Sequence, residues 1–351
     1  MKLVFANDSF KGSLTSKETA LLLDKAAQFV FKDVETVKLP LSDGGAGLLD
    51  AVISASGGRV ETVAVHDPLM GLIEAPYVVI KDKLAVIDMT AVCGIELLDD
   101  SIGDEKLASS YGMGELIRSA IDCGCEYIVA GTGEVATNDG GMGALRALGA
   151  KFLDEKGREL EGRSEDVDRL AEIDLSEIDN RITDISFTLM CDIPNPIEGM
   201  QRYTDILYKV TGHRSDNVIG TGAAGGFGAA AYAVLGAELR SGIDTMLGMV
   251  KFDSILEGSD LLITGTSIAD EIAANSGVMQ GVAKRAKAKG IPVIALVESL
   301  GEGWEEVLGC GVSKLVCISG EGKMTDNPEG AAELYYEAAV RMFENYREGN
   351  L

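Results

Sequence analysis

The stretch KLVFANDSFKGSLTSKE, residues 2–18, indicates the fold class of this 351-residue chain. A short, mostly apolar run predicts a strand, a polar loop follows it, and Thr15 and Glu18 have the spacing of a capping box at a helix start. Short apolar strands with helices between them recur near the C-terminus, for example at 260–264 and 291–297. This alternation predicts a parallel, doubly wound α/β sheet with right-handed crossovers.

The middle of the chain has a different pattern. Strand candidates at 60–65, 76–80 and 84–88 are separated only by the turns HDPLMG and IKDK, which is typical of antiparallel strands. Residues 165–180 are predicted as a helix within an acidic surface stretch.

These two patterns predict two α/β domains. We expect residues 1–60 and 255–351 to form a parallel domain and residues 61–254 to form a second domain inserted into it.

The composition excludes several classes of partner. The net charge of −25 argues against binding to nucleic acid or to an anionic membrane. No apolar run approaches the roughly 20 residues that a membrane span needs, and the N-terminus leads directly into a strand without a signal peptide. The six cysteines form no C-x-x-C pair and are expected to be free thiols. We therefore expect a cytoplasmic protein that acts on a small molecule, with a homodimer left open as its assembly.

The first candidate site is the polar loop after the N-terminal strand, which carries Asp8, Ser9, Lys11 and Ser13. Ligands of open α/β sheets bind at the carboxyl ends of the strands. A lysine beside a helix N-terminus at that position suits a phosphate or a carboxylate. The alternative is an ordinary polar loop with a helix cap.

An Asp-Gly-Gly turn occurs twice, in SDGGAG at 42–47 and in TNDGGMG at 137–143. Asp43 and Asp139 are candidates for binding magnesium or for accepting a proton from a hydroxyl group. The paired glycines allow backbone N–H groups to approach a ligand; they are Gly44, Gly45, Gly140 and Gly141. The alternative for each turn is a helix cap without chemistry.

The segment MCDIPNPIEG, residues 190–199, places Asp192 at a predicted strand end and Asn195 between two prolines. Proline restricts the backbone, so this loop is expected to be rigid. A rigid loop that presents Asp and Asn suits metal or hydroxyl binding, and a plain turn is the alternative.

Taken in order, these motifs resemble the signature blocks of the type I glycerate kinases. The matching blocks include DSFKGSLTSKE, LPLSDGGAGLLDAV, HDPLMG, SSYGMGELI, ATNDGGMGALRALGAKF, CDIPNPIEG and GTGAAGGFGAAAYAVLGAELRSGID. They occur in the order of the family and cover nearly the whole chain.

The resemblance implies two α/β domains with a cleft between them, one flavodoxin-like and one resembling restriction endonucleases with a mixed sheet. It also implies transfer of the γ-phosphoryl group of ATP to D-glycerate, with magnesium. In this interpretation Lys11 neutralises charge, while Asp43, Asp139 and Asp192 share magnesium binding and hydroxyl activation. The remaining expected substrate or phosphate contacts are Asp8, Ser9, Ser13, Gly44, Gly45, Thr137, Asn138, Gly140, Gly141, Asn195, Gly265 and Asp270.

The chain departs from the family pattern after DLLITG. Thr266, Ile268 and Gly277 stand where the family has Glu, Arg and Lys. These departures keep two alternatives open: a kinase for a related hydroxy acid or sugar acid, and a non-catalytic binding protein with the same fold.

Overall fold

The architecture is described from a computed structural model, which describes residues 1–10, 13–45, 47–98, 104–191, 195–318 and 327–350. The strands of these residues are β1 (Lys2–Phe5), β2 (Glu35–Lys38), β3 (Arg59–His66), β4 (Leu72–Ile80), β5 (Leu84–Asp88), β6 (Tyr127–Gly131), β7 (Lys151–Leu153), β8 (Glu172–Asp174), β9 (Ser186–Cys191), β10 (Glu238–Ser241), β11 (Leu261–Ala269), β12 (Val293–Leu300) and β13 (Lys314–Cys317). The helices are α1 (Ser16–Val30), α2 (Leu48–Ser56), α3 (Thr90–Cys93), α4 (Asp104–Leu107), α5 (Tyr111–Asp122), α6 (Met142–Ala147), α7 (Gln201–Thr211), α8 (Phe227–Ala233), α9 (Gly242–Met249), α10 (Phe252–Ile255), α11 (Glu271–Asn275), α12 (Gly277–Ala288), α13 (Glu306–Cys310) and α14 (Pro328–Glu348).

The chain divides into two compact units. Unit 1 consists of residues 1–43, 50–56 and 243–351, and unit 2 consists of residues 44–49 and 57–242. The domain limits expected from the sequence, 60/61 and 254/255, stay a prediction.

Unit 1 contains a parallel five-stranded sheet with the order β13-β12-β11-β1-β2. Numbered along the unit, this is the order 2-1-3-4-5 of flavodoxin-like folds. The flavodoxin-like domain expected from the resemblance is therefore confirmed, and its strand order reverses between β1 and β11.

The start of α1 follows from local sequence. The side chain of Thr15 accepts the N–H of Glu18, and the carboxylate of Glu18 accepts the N–H of Thr15. This is the capping box that the spacing predicts. Apolar residues of α1 and α14, such as Leu23 and Phe343, then pack on Leu3 and Phe5 of β1. Helix α12 packs on β11 and β12.

Unit 2 contains a mixed six-stranded sheet with the order β10-β9-β6-β5-β4-β3. Strands β5, β6, β9 and β10 are parallel, whereas β3 and β4 form an antiparallel hairpin and β4 is antiparallel to β5. The antiparallel strands lie where the turns HDPLMG and IKDK predict them. The fold class, two α/β domains of which one has a mixed sheet, is confirmed.

The helix predicted at 165–180 is wrong. Residues Glu172–Asp174 instead pair with Lys151–Leu153 as β8 and β7, and short 3₁₀ segments lie at Ser164–Arg169 and Asn180–Asp184. The side chain of Asp174 accepts the N–H of Ser176, a local bond that competes with helix formation.

Among the described residues, no helix combines the length and the apolar character needed to cross a membrane.

Candidate functional site

The first region of interest is the switch point of the unit 1 sheet. Open parallel sheets bind ligands outside the carboxyl ends of the strands where the strand order reverses. Asp8 follows β1 at this point, and its N–H donates to the carbonyl oxygen of Gly265 in β11 (3.3 Å). The structure therefore brings together Asp8 and Gly265, which are far apart in sequence.

The loop after Asp8 is tightly hydrogen-bonded. The N–H of Ser9 donates to Oδ1 of Asp8 (2.8 Å), and the hydroxyl of Ser13 donates to the carbonyl oxygen of Phe10 (3.2 Å). Both serines thus lie at the switch point, as their position after the strand predicts. Lys11 lies outside the described residues.

Asn7 is a residue of this region that the sequence analysis did not single out. It is completely buried, and its side-chain amide donates to the hydroxyl of Tyr335 (2.9 Å). Its Oδ1 has no hydrogen-bond partner in the described part of the chain. Its position directly after β1 is the sequence feature that could have identified it as a candidate site residue.

The other two predicted residues of unit 1 lie at the starts of helices α12 and α11. The carboxylate of Asp43 lies beside Gly277, the first residue of α12, where an added methyl group would be 3.3 Å from Oδ2. Asp270 caps α11, because its Oδ1 accepts the N–H of Ala273 (2.8 Å). The metal or hydroxyl role of Asp43 stays a prediction.

The second region is the carboxyl edge of the parallel strands of unit 2. Register pairs Asp88 at the end of β5 with Gly131 at the end of β6, and Gly131 with Met190 of β9. The ends of these strands therefore share one edge of the sheet. The first Asp-Gly-Gly turn contributes Gly44 and Gly45 to this edge.

Glycines allow the backbone segments to meet at this edge. A methyl group at Gly131 would overlap the carbonyl oxygen of Gly44, and a methyl group at Gly133 would collide with Cγ2 of Thr90. The same methyl group at Gly133 would be 3.3 Å from Cα of Gly45. Only residues without a side chain allow this close approach.

Asp88 is an edge residue that the sequence analysis placed in a strand but not in the site. Its Oδ1 accepts the N–H of Thr90 (2.9 Å) and the hydroxyl of Thr90 (2.6 Å). Burial raises the pKa of Asp88 to about 6, while the two hydrogen bonds from Thr90 act against this rise. The sequence feature that could have identified it is a carboxylate at the end of the apolar run LAVID.

The second Asp-Gly-Gly turn is buried in unit 2. Asp139 is 0% exposed and accepts four hydrogen bonds. The backbone N–H and hydroxyl of Ser110 donate to Oδ2 (2.8 Å each), as does the N–H of Gly143 (3.1 Å), while the N–H of Gly141 donates to Oδ1 (2.8 Å). Burial raises the pKa of Asp139, and these hydrogen bonds, which stabilise the carboxylate, act against the rise.

These contacts join α5 to the start of α6, since Ser110 directly precedes α5 and its hydroxyl also accepts the N–H of Ala144 (3.0 Å). They give Asp139 the properties of a buried helix cap, the alternative that the sequence left open. Its proposed part in catalysis stays a prediction.

The residues beside Asp139 contact a glycine-rich loop of the same unit, residues 220–226. The N–H of Gly140 donates to the carbonyl oxygen of Gly225 (2.9 Å), and the hydroxyl of Tyr203 donates to the carbonyl oxygen of Gly140 (2.6 Å). The N–H groups of Gly140 and Gly141 thus already have acceptors within the protein.

The neighbouring predicted contacts also belong to unit 2. Thr137 is 3% exposed, and the N–H of Asn138 donates to the hydroxyl of Ser164 (3.0 Å). The carbonyl oxygen of Asn195 accepts the N–H groups of Gly220 (3.2 Å) and Gly222 (3.1 Å). Thus Asn195 and the second Asp-Gly-Gly turn both border the glycine-rich loop.

The described residues contain no group of three or more His, Cys, Asp or Glu side chains placed to bind a metal ion. Asp139 does not offer an open oxygen, since both are hydrogen-bonded and the residue is fully buried. Asp192 lies outside the described residues. The predicted convergence of Lys11, Asp43, Asp139 and Asp192 therefore stays a prediction.

Comparison with known proteins gives consistent results over the whole chain. The model of the glycerate kinase family matches residues 3–201 and 197–346. A glycerate kinase of Bacillus cereus is 35% identical over 345 residues, which is 91% of each chain. The glycerate 2-kinase of Escherichia coli is 35% identical and the match covers 86% of each chain. A crystal structure from Salmonella typhimurium LT2, assigned as glycerate kinase 2, has a TM-score of 0.83 at 31% identity and covers 99% of both chains.

Proposed function

Because the chain belongs to the glycerate kinase family, we propose that it transfers the γ-phosphoryl group of ATP to a hydroxyl group of D-glycerate. The observation that supports this most strongly is the extent of the similarity, since relatives named glycerate kinase align with about nine-tenths of the chain, including both units. Phosphoryl transfer requires mainly positioning of the two substrates and neutralisation of charge.

In unit 1, the switch point supplies the proposed anion contacts. Lys11 neutralises a phosphate or the carboxylate of the acceptor, and Asp8, Ser9 and Ser13 shape the loop around it. The position at the reversal of strand order supports this assignment, because that position is where this class of sheet binds ligands.

In unit 2, the proposed contacts lie at the carboxyl edge, where the backbone at Gly44 and Gly45 approaches Gly131 and Gly133 closely. The glycines keep side chains away from these positions, which suits contacts between the backbone and a ligand. Asp192 and Asn195 follow β9 and are proposed to contact the substrates from the same edge.

ATP is the expected phosphoryl donor of a kinase of this family. Magnesium commonly binds through the phosphates of a nucleotide with only one or two protein carboxylates. Asp43 and Asp192 fit that modest requirement by residue type, whereas the hydrogen-bonded carboxylate of Asp139 does not offer an open oxygen. Bound magnesium would neutralise part of the triphosphate charge.

The direct test is release of ADP by the purified protein with MgATP and D-glycerate, with L-glycerate and other hydroxy acids as comparisons. The variant Lys11→Met is expected to lower kcat/KM by about 10- to 100-fold, because a charge-assisted contact contributes about 1.5–3 kcal/mol. Lys17→Met, in an exposed position on α1, is the matched control and should leave kcat/KM unchanged.

The results separate the candidate functions. Absence of ADP release with D-glycerate, together with turnover of another hydroxy acid, would support the related-kinase alternative. The uncharged Ile268 and Gly277, at positions where the family has Arg and Lys, favour both this alternative and a binding protein. Absence of turnover with every acid would support a binding protein.

A further inference from the structure

Asp88 is a buried carboxylate at the proposed site for which the assignments above give no role. It ends β5, in register with Gly131 of β6, at the carboxyl edge of the parallel strands of unit 2. The residue is 7% exposed. It therefore lies where substrates of α/β proteins bind, with only a small part of its surface open to solvent.

The two oxygens of Asp88 have different environments. Oδ1 accepts both hydrogen bonds from Thr90. Oδ2 accepts no hydrogen bond from the residues that the structure describes. This oxygen is not among the fully buried side-chain atoms that lack a hydrogen-bond partner, so solvent reaches it and it is available to a ligand.

A purely structural role does not require the negative charge. The bonds from Thr90 resemble a local turn, and an asparagine oxygen would also accept them. Burying most of a charged carboxylate side chain is costly. Costly features of this kind are retained mostly where function needs them.

Two glycines of the same edge lie close to the loop that contains Thr90. The loop that contains Thr90 touches Gly133, and Gly133 in turn lies against Gly45 of the first Asp-Gly-Gly turn. These neighbours contribute backbone and one methyl group to the edge. A hydroxyl group of a small acceptor can approach such an edge closely.

We propose that Oδ2 of Asp88 accepts the proton of the acceptor hydroxyl during phosphoryl transfer. This assignment rests on the proposed kinase function. The O–H bond of the acceptor breaks, its oxygen forms a bond to the γ-phosphorus, and the bond between that phosphorus and the bridging oxygen breaks. The bridging electron pair leaves with ADP, the proton remains on Asp88, and it passes to water after the products dissociate.

The acid–base chemistry of Asp88 suits this role. A general base is most effective when its pKa lies near the working pH. With its pKa raised to about 6 by burial, the carboxylate is mostly ionised at pH 7 and is still a better proton acceptor than an ordinary aspartate.

The first test is the variant Asp88→Asn, which keeps the hydrogen bonds from Thr90 and removes the base. We expect kcat to fall by about 100- to 10,000-fold with little change in KM for ATP. The wild-type kcat should decline below about pH 6, and this decline should be absent in the variant. Asp154→Asn is the matched control, because Asp154 is 8% exposed and also accepts the N–H of the residue two positions on, Lys156. A kcat within fivefold of wild type in Asp88→Asn, or an unchanged decline at low pH, would overturn the assignment.

The second test does not depend on turnover or on the folding of a variant. In wild-type protein labelled with ¹³C at the aspartate carboxyl carbon, we expect one resonance to titrate near pH 6 and to shift when D-glycerate is added. If the protein phosphorylates D-glycerate but this resonance does not respond to it, the role of Asp88 is wrong while the kinase function stands. If D-glycerate is not phosphorylated but shifts the resonance, the kinase function fails while Asp88 remains an acceptor contact. No turnover and no shift would overturn both.

Discussion

Replacing Asp139 by asparagine tests whether this residue is a structural cap or a catalytic group. The carboxylate accepts three hydrogen bonds on Oδ2 and one on Oδ1, all from within unit 2. Asparagine offers one accepting oxygen. If that oxygen takes over the donors at Oδ2, its amide group faces the N–H of Gly141, which then has no acceptor.

The expected loss of folding stability in Asp139→Asn follows from these contacts. Loss of one hydrogen bond to a charged group costs about 1.5–3 kcal/mol, and leaving the buried N–H of Gly141 unpaired costs about 1–3 kcal/mol. Removal of the buried charge offsets part of this cost. We therefore expect Asp139→Asn to destabilise the protein by about 2–4 kcal/mol. For a domain of this size, 3 kcal/mol corresponds to a decrease in Tm of about 6–12 °C.

The assay combines thermal unfolding with kinetics at a temperature where the variant remains folded. If Asp139 is only a cap, kcat per folded molecule should stay within about twofold of wild type while Tm falls. A loss of kcat of about 100-fold or more in the folded variant would instead support the predicted catalytic role. A decrease in Tm of less than about 2 °C would refute the hydrogen-bond argument itself. Asp174→Asn, at a half-buried carboxylate that accepts the N–H of Ser176, should lower Tm less.

Three further outcomes are expected. The pKa of Asp88 is raised to about 6 in the folded protein, against 3.8 when unfolded, so the stability of the wild type decreases as pH rises from about 4 to 6. Urea unfolding should therefore show Asp88→Asn to be more stable than wild type at pH 8 by up to about 3 kcal/mol. At pH 4 the two proteins should be nearly equal in stability. Gly133→Ala should lower the urea midpoint, because the φ of Gly133 is +48° and the added methyl group would collide with Thr90, costing about 1–3 kcal/mol. The control is Gly157→Ala, at a glycine with φ +72° and no neighbour within 4 Å. Equal losses of stability in the two variants would show that the collision is unimportant. Calorimetry should give MgATP a Kd at least about tenfold higher than that of the Bacillus cereus relative, since Gly277 replaces a cation of the family pattern; equal affinities would contradict this.

The class of the fold and the identity of its local elements were predictable from sequence. The capping box of Thr15 and Glu18, the alternation of strands and helices, and the antiparallel strands near 60–80 are short-range patterns. Such patterns involve neighbouring residues, and their hydrogen bonds form within one turn or hairpin. The loop at Asp8 was also correctly placed after a strand.

The environments of the acidic residues were not predictable in this way. The two Asp-Gly-Gly turns have nearly the same local sequence, yet Asp139 is buried with four hydrogen bonds, whereas Asp43 lies beside Gly277, which is distant in sequence. Partners of this kind are brought together only by packing.

The helix expected at residues 165–180 also could not be judged from local sequence, because the pairing of β7 with β8 overrode a helical pattern. The sequence by itself determined where α1 begins and where the antiparallel strands turn, since adjacent residues decide these features. Only the tertiary structure decided which carboxylates are buried and that Ser110 binds Asp139, because burial and long-range hydrogen bonds depend on segments that meet after the sheets have formed.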